Sequence, residues 1–150
     1  MPELIFSEKD EDEFVECVAT GRPFSKTFEF GKTKKFRLRL KDRSKKVSEI
    51  IGRSLDIAME DKKILNWVEY THMYNSACLY YQTEAINGIE HIRLYPKSVF
   101  EPFDLISAME KSPINDWTSA QLYVGMGFMF QFNQALSKLS QKAFTSQNFS

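Results

Sequence analysis

A chain of 150 residues fits one domain with room for a sizeable core, and 43% hydrophobic with 14% aromatic residues excludes a disordered polymer. Its twenty basic and twenty acidic side chains cancel, which argues against a partner held by net charge alone, such as bulk nucleic acid. Cys17 and Cys78 are far apart, as are His72 and His91, so no zinc-ligand spacing exists and two reduced thiols are expected.

The first residues, Met1-Pro2-Glu3-Leu4-Ile5-Phe6, lack the basic-then-apolar order of a secretory signal, so a cytoplasmic protein is expected. Ser7 can cap a helix whose first turn, Glu8-Lys9-Asp10-Glu11, suits the helix dipole. Phe14, Val15 and Val18 offer it a narrow apolar face and Gly21 a stop, predicting a helix over about Glu8 to Thr20. After Pro23 the period changes to two. Phe24, Phe28 and Phe30 alternate in part, and Phe36-Arg37-Leu38-Arg39-Leu40-Lys41 alternates fully, with Gly31-Lys32-Thr33-Lys34 between them as a turn. Two antiparallel strands follow, with Phe36, Leu38 and Leu40 facing the core.

Asp42 or Ser44 caps a second helix carrying Val47, Ile50, Ile51, Leu55, Ala58 and Met59 on one side, with Gly52 as the mark of a close helix crossing. A third helix is expected from Asp61. Its stripe of Trp67, Tyr70, Tyr74, Cys78, Tyr81 and Ala85 keeps helical spacing and reads as core. Asn87-Gly88 either stops this helix or makes a tight turn, and Ile89 to Tyr95 reads as a strand with Ile92 and Leu94 on one face. Pro102 opens a short fourth helix through Lys111, and Asn115 or Asp116 caps a long last one. The expected architecture is α+β and predominantly helical: about five helices packed with a small antiparallel hairpin or short sheet, in a single domain ending in a flexible tail near 145–150.

The run Leu122 to Phe130 is far shorter than the roughly 20 apolar residues a membrane helix needs. Trp117, Val124, Phe128 and Phe132 read as its inward face. Met126, Met129 and Phe130 are left as a candidate protein-binding or self-association surface, because the helix is apolar nearly all round. Gly125 and Gly127 together cost about 2 kcal/mol against alanine, which predicts a close neighbour. Charge is unevenly spread: seven acids and one base lie between Glu3 and Glu16, nine bases and one acid between Lys32 and Lys46. Alternation puts Lys35, Arg37, Arg39 and Lys41 on one strand face, a candidate for an acidic protein partner or a phosphate backbone, or a solvated face that discourages aggregation. Neither histidine sits in a catalytic or metal-binding motif and no nucleophile motif occurs, so no catalytic residue, cofactor or metal is assigned.

The junction Phe36-Arg37-Leu38-Arg39-Leu40 followed by Asp42-Arg43, and the stretch from Trp67 to Ile86-Asn87-Gly88, together resemble tail assembly chaperones of tailed phages. The resemblance spans about Phe28 to Gly88. It implies a non-enzymatic factor of viral origin, acting in the host cytoplasm, that binds an elongated tape-measure protein and recruits tail-tube subunits. The alternatives are a small nucleic-acid-binding regulator using the basic strand face, and a permanent structural subunit of a virion.

Overall fold

The computed structural model describes residues 6–148, with side chains through residue 142. The described residues form an α+β fold, predominantly helical: α1 (Glu8–Thr20), β1 (Ser25–Phe30), β2 (Phe36–Lys41), α2 (Lys45–Glu60), α3 (Trp67–Gln82), β3 (Thr83–Ile86), β4 (Ile89–Glu90), α4 (Leu105–Glu110), a 3-10 turn (Pro113–Asp116) and α5 (Ser119–Asn148). The strands make one antiparallel sheet in chain order, with α2 and α3 inserted between the neighbours β2 and β3. The tail expected near 145–150 falls partly in α5, which runs to Asn148; residues 149–150 lie outside the described residues.

Local chemistry accounts for most boundaries. Ser7 and Asp10 close a capping box at the start of α1, each side chain bonding the other's backbone N–H. Gly21 ends that helix in the left-handed region at φ 71°, donating its N–H back to the last turn. Asn87 and Gly88 both have positive φ and turn β3 into β4. The tight turn is therefore the correct one of the two readings of Asn-Gly, because the chain is already extended at Thr83.

The sheet buries one face. Phe28 and Leu38, cross-strand partners, point into the core with Leu40 and Phe24, and α5 lies over them. Phe28 stacks on Phe128 with ring centroids 5.4 Å apart, and Phe24 stacks on Phe132 at 6.2 Å. Phe14 of α1 meets the edge of Phe24 at 5.9 Å, so α1 closes one end of this aromatic layer. On α2 the residues Val47, Ile50, Ile51, Leu55 and Ala58 are buried, as their spacing predicts.

Several expectations need correction. On α1 the buried pair is Phe14 and Cys17, while Val15 and Val18 stay exposed. The third helix starts at Trp67, capped by the Asn66 side chain, and not at Asp61. Trp67 is 70% exposed, because the first turns of α3 project past the elements that cover its buried end, Ala77–Gln82. Only Ile89 and Glu90 of the expected strand pair in the sheet; Ile92 and Leu94 are exposed, and His91 is the residue that turns inward. Asp104 caps α4, which starts at Leu105, and Thr118 caps α5, so Pro102 and Trp117 both lie outside the helices. A Cβ at Gly52 would meet nothing within 4 Å, so no helix crosses closely there.

Candidate interaction surfaces

The long helix α5 begins with a reciprocal cap. Thr118 Oγ1 accepts from the Gln121 N–H at 3.1 Å, and Gln121 Oε1 accepts from the Thr118 N–H at 3.0 Å. Gly125, Phe128, Phe132, Leu136 and Leu139 then make its buried stripe. Met129 belongs to this stripe and is 4% exposed, which corrects its expected place on the contact face: it sits beside Phe128 and one turn before Phe132. Met126 is half-buried against the core, and Phe130 is 63% exposed. Of the residues expected inward, Phe128 and Phe132 are buried, whereas Val124 and Trp117 are half-buried. The close neighbour of Gly125 is the chain's own Trp117, whose ring carbon Cζ3 lies 2.9 Å from where a Cβ would stand. Trp117 also meets Phe36 edge-on at 5.4 Å, linking the entrance of α5 to β2.

The outward side of α5 is unusual in composition. Between Asp116 and Lys138 the chain has no Asp, Glu, Lys or Arg, and Tyr123 (77% exposed) and Phe130 stand two turns apart on the solvent side. A surface helix ordinarily turns charges outward. A second exposed apolar group lies at the start of α3, where Leu65, Trp67 and Val68 are open to solvent and the Trp67 ring leans on Tyr70 at 5.2 Å. Its signal in the sequence was the absence of any apolar residue three or four positions before Trp67 other than Ile64, which is itself buried beneath the loop.

The basic strand face is a mixed-charge surface. Arg37, Arg39 and Lys41 do share the side of β2 opposite Leu38 and Leu40, whereas Lys35 lies in the turn just before the strand. Lys35 lies 3.1 Å from Glu29, and Arg39 lies 3.3 Å from Glu84, whose other oxygen accepts from Ser25 Oγ. Arg37 has an exposed side chain, while its backbone is held at both ends by Asn87: its N–H donates to Asn87 Oδ1 and its carbonyl accepts from the Asn87 N–H. Lys41 is half-buried, and burial with the nearby Arg93 pushes its amine below the usual lysine range, against the pull of Glu84.

Two polar clusters, one buried and one half-buried, were not legible as sites. His91 Nδ1 lies 3.0 Å from the Thr83 carbonyl and Nε2 lies 2.8 Å from Ser112 Oγ. A carbonyl can only accept, so Nδ1 carries the hydrogen and Nε2 accepts from the Ser112 hydroxyl. Ser112 Oγ in turn accepts from the Ile114 N–H and caps the 3-10 turn, which binds that turn to the end of the sheet. Burial holds the His91 pKa below its ordinary value, leaving the ring neutral. In the other cluster Arg43 donates from Nη1 to Cys78 Sγ at 2.6 Å and from Nε to Ser48 Oγ at 2.9 Å, with Tyr74 under its guanidinium. Burial pushes the Cys78 thiol up, although Arg43 and Tyr74 oppose this. Among the described residues no three His, Cys, Asp or Glu side chains gather as a metal site, and no helix is long and apolar enough to cross a membrane.

No protein-family model, curated protein or solved structure matches the chain.

Proposed function

We propose that the protein is a non-enzymatic protein-interaction or assembly factor that uses the outward face of α5, in the manner of the tail assembly chaperones its Phe28 to Gly88 region resembles. The observation that carries this reading is the outward face of α5 before Lys138, charge-free and with Tyr123 and Phe130 exposed on it. Leaving large aromatics in water forgoes about 1.5–3 kcal/mol of burial for each side chain, which a partner's apolar surface would recover. The partner that suits such a strip is an apolar or amphipathic helix, of the kind an elongated tape-measure protein would supply. The nucleic-acid alternative draws little support, since Glu29 and Glu84 occupy two of its four bases.

Phe130→Glu tests the reading, because the residue is exposed and its replacement leaves the core untouched. The wild type should self-associate by light scattering, or retain a co-expressed tape-measure-type helical protein through purification. The variant should lose that association with unchanged far-UV helicity. A monomeric wild type that retains no such partner would refute the proposal, and so would a variant that associates as well as the wild type.

A further inference from the structure

Where the end of β2 meets the start of α2, a cavity of about 220 Å³ opens between the α1–β1 connection, the β2–α2 connection and Tyr81 of α3. Arg22 from one segment and Lys41 and Arg43 from another line it, with Ser44 beside them. Lys45 and Lys46 follow immediately, so the first turn of α2 has no acidic residue. Among the described residues neither Lys41 nor Arg43 makes an ion pair, although both are half-buried. Arg22 is engaged only at the surface, with Glu16 at 3.6 Å and Thr20.

Taking a cation partly out of water without a counter-charge is costly, and proteins ordinarily answer the cost with a carboxylate. Here the hydrogen-bond partners of the Arg43 side chain are neutral, Asp42 and Glu84 acting on Arg43 and Lys41 only without a direct ion pair: Ser48 and Cys78 take Nε and Nη1, fixing the guanidinium plane and leaving Nη2 uncommitted. Ser44 Oγ spends a lone pair on the Val47 N–H and keeps its own proton for another acceptor. The acid in the wall, Asp42, is turned to the Arg43 backbone N–H; burial raises its pKa, while that bond and the Arg43 charge pull the other way. At about 30 Å³ per water the cavity holds roughly seven waters, so a tetrahedral oxyanion fits with part of its hydration shell.

We propose that this cavity is a binding site for a phosphate-sized oxyanion, held by Lys41, Arg43 and Arg22 with the Ser44 hydroxyl donating to it. The ligand is inorganic phosphate or the phosphoryl group of a small phosphomonoester. The fixed Arg43 fork supplies direction and Lys41 supplies a compact charge, a division of labour suited to phosphoryl oxygens. The site is independent of the α5 surface.

Thermal unfolding in sodium phosphate, compared with sodium chloride at matched ionic strength, tests the assignment. The wild type should show a saturable rise in Tm with phosphate alone, because only a ligand of the folded state stabilises in this way. Lys41→Met should need at least tenfold more phosphate for the same rise, whereas Lys32→Met, an exposed base outside the cavity, should match the wild type. Glycerol phosphate titrated by calorimetry distinguishes the sources: tighter binding than inorganic phosphate identifies a phosphomonoester, and weaker binding the free ion. Should Lys41→Met fold poorly, amide shifts in the wild type decide: phosphate should move Arg43 and Ser44 and leave Lys32 in place. No saturable effect beyond chloride, equal effects in wild type and Lys41→Met, or shifts spread evenly over all bases would overturn the proposal. Binding to oligonucleotides alone, strengthening with their length, would overturn it too.

Discussion

Gln82 and Asn133 exchange hydrogen bonds across the core, Gln82 Nε2 donating to Asn133 Oδ1 at 2.8 Å and Asn133 Nδ2 donating to Gln82 Oε1 at 3.3 Å. Gln82 closes α3, Asn133 sits mid-way along α5, and the second hydrogen on Gln82 Nε2 goes to the Lys41 carbonyl at 3.1 Å. One buried amide thereby joins a helix end, the last helix and the central strand.

Breaking that pair should be felt. Asn133→Ala leaves a fully buried amide short of a donor and an acceptor, and stability should fall by about 1–3 kcal/mol. Urea unfolding of the two single variants and of Gln82→Ala with Asn133→Ala should give a coupling energy well above zero. Additive losses would mean that water replaces either partner freely.

His91 should make stability depend on pH below neutrality. Its folded pKa is depressed below the ordinary 6.5 by burial, so above that value the ring is neutral in both states and adds no pH dependence. Below it the unfolded chain takes up a proton that the fold refuses, and stability falls as pH drops from 6.5 toward the folded value. Asp42, whose folded pKa is raised, works in the opposite sense at lower pH. Chemical denaturation at pH 7.5 and 5.5 should therefore show a loss in the wild type that is absent in His91→Gln. An equal loss in that variant would assign the effect elsewhere.

Gly52 and Gly125, both inside helices, should respond to alanine with opposite signs. Gly52→Ala adds a methyl into open space and should stabilise by up to about 1 kcal/mol, the helix-propensity difference. Gly125→Ala would set Cβ 2.9 Å from the Trp117 ring and 3.5 Å from Leu38, so it should destabilise despite its better propensity. Paired thermal melts decide the signs.

Aromatic truncation separates the exposed end of α3 from the core. Trp67→Ala should change stability by less than about 1 kcal/mol, while Phe132→Ala, stacked on Phe24 and fully buried, should cost about 3–5 kcal/mol. Denaturant midpoints of the two variants measure the contrast.

These cases show where the sequence was readable. Local chemistry was: the Ser7 cap, the Gly21 stop, the Phe36 to Lys41 alternation and the apolar side of α2 all depend on residues a few positions apart. Periodicity told which side of a helix could be buried and not how far along the axis its neighbours reach, which is why Trp67 and Tyr81 share a stripe yet differ entirely in exposure. The same limit separated Met129 from Phe130, adjacent residues whose fates depend on how wide a strip the sheet and α3 cover. Long-range polar pairs were beyond reach: His91 with Ser112, Arg43 with Cys78 and Gln82 with Asn133 join segments whose proximity only the fold creates. The carboxylates facing the β2 bases were hidden for the same reason, Glu84 arriving from the far side of α3.

The insertion of α2 and α3 between the adjacent strands β2 and β3 has a consequence for cooperativity. The β1–β2 hairpin is local but marginal alone, and β2 gains its second neighbour only when the helical pair brings Thr83–Ile86 back beside it. Opening α2 against α3 removes β3 from the sheet, so the helical layer and the strand ladder share one unfolding event. In native-state hydrogen exchange, the β2 amides bonded to β3 should report the same opening free energy as the buried amides of α2 and α3, one foldon spanning both kinds of structure. Distinct values for the two layers would show that the sheet holds without its helical link.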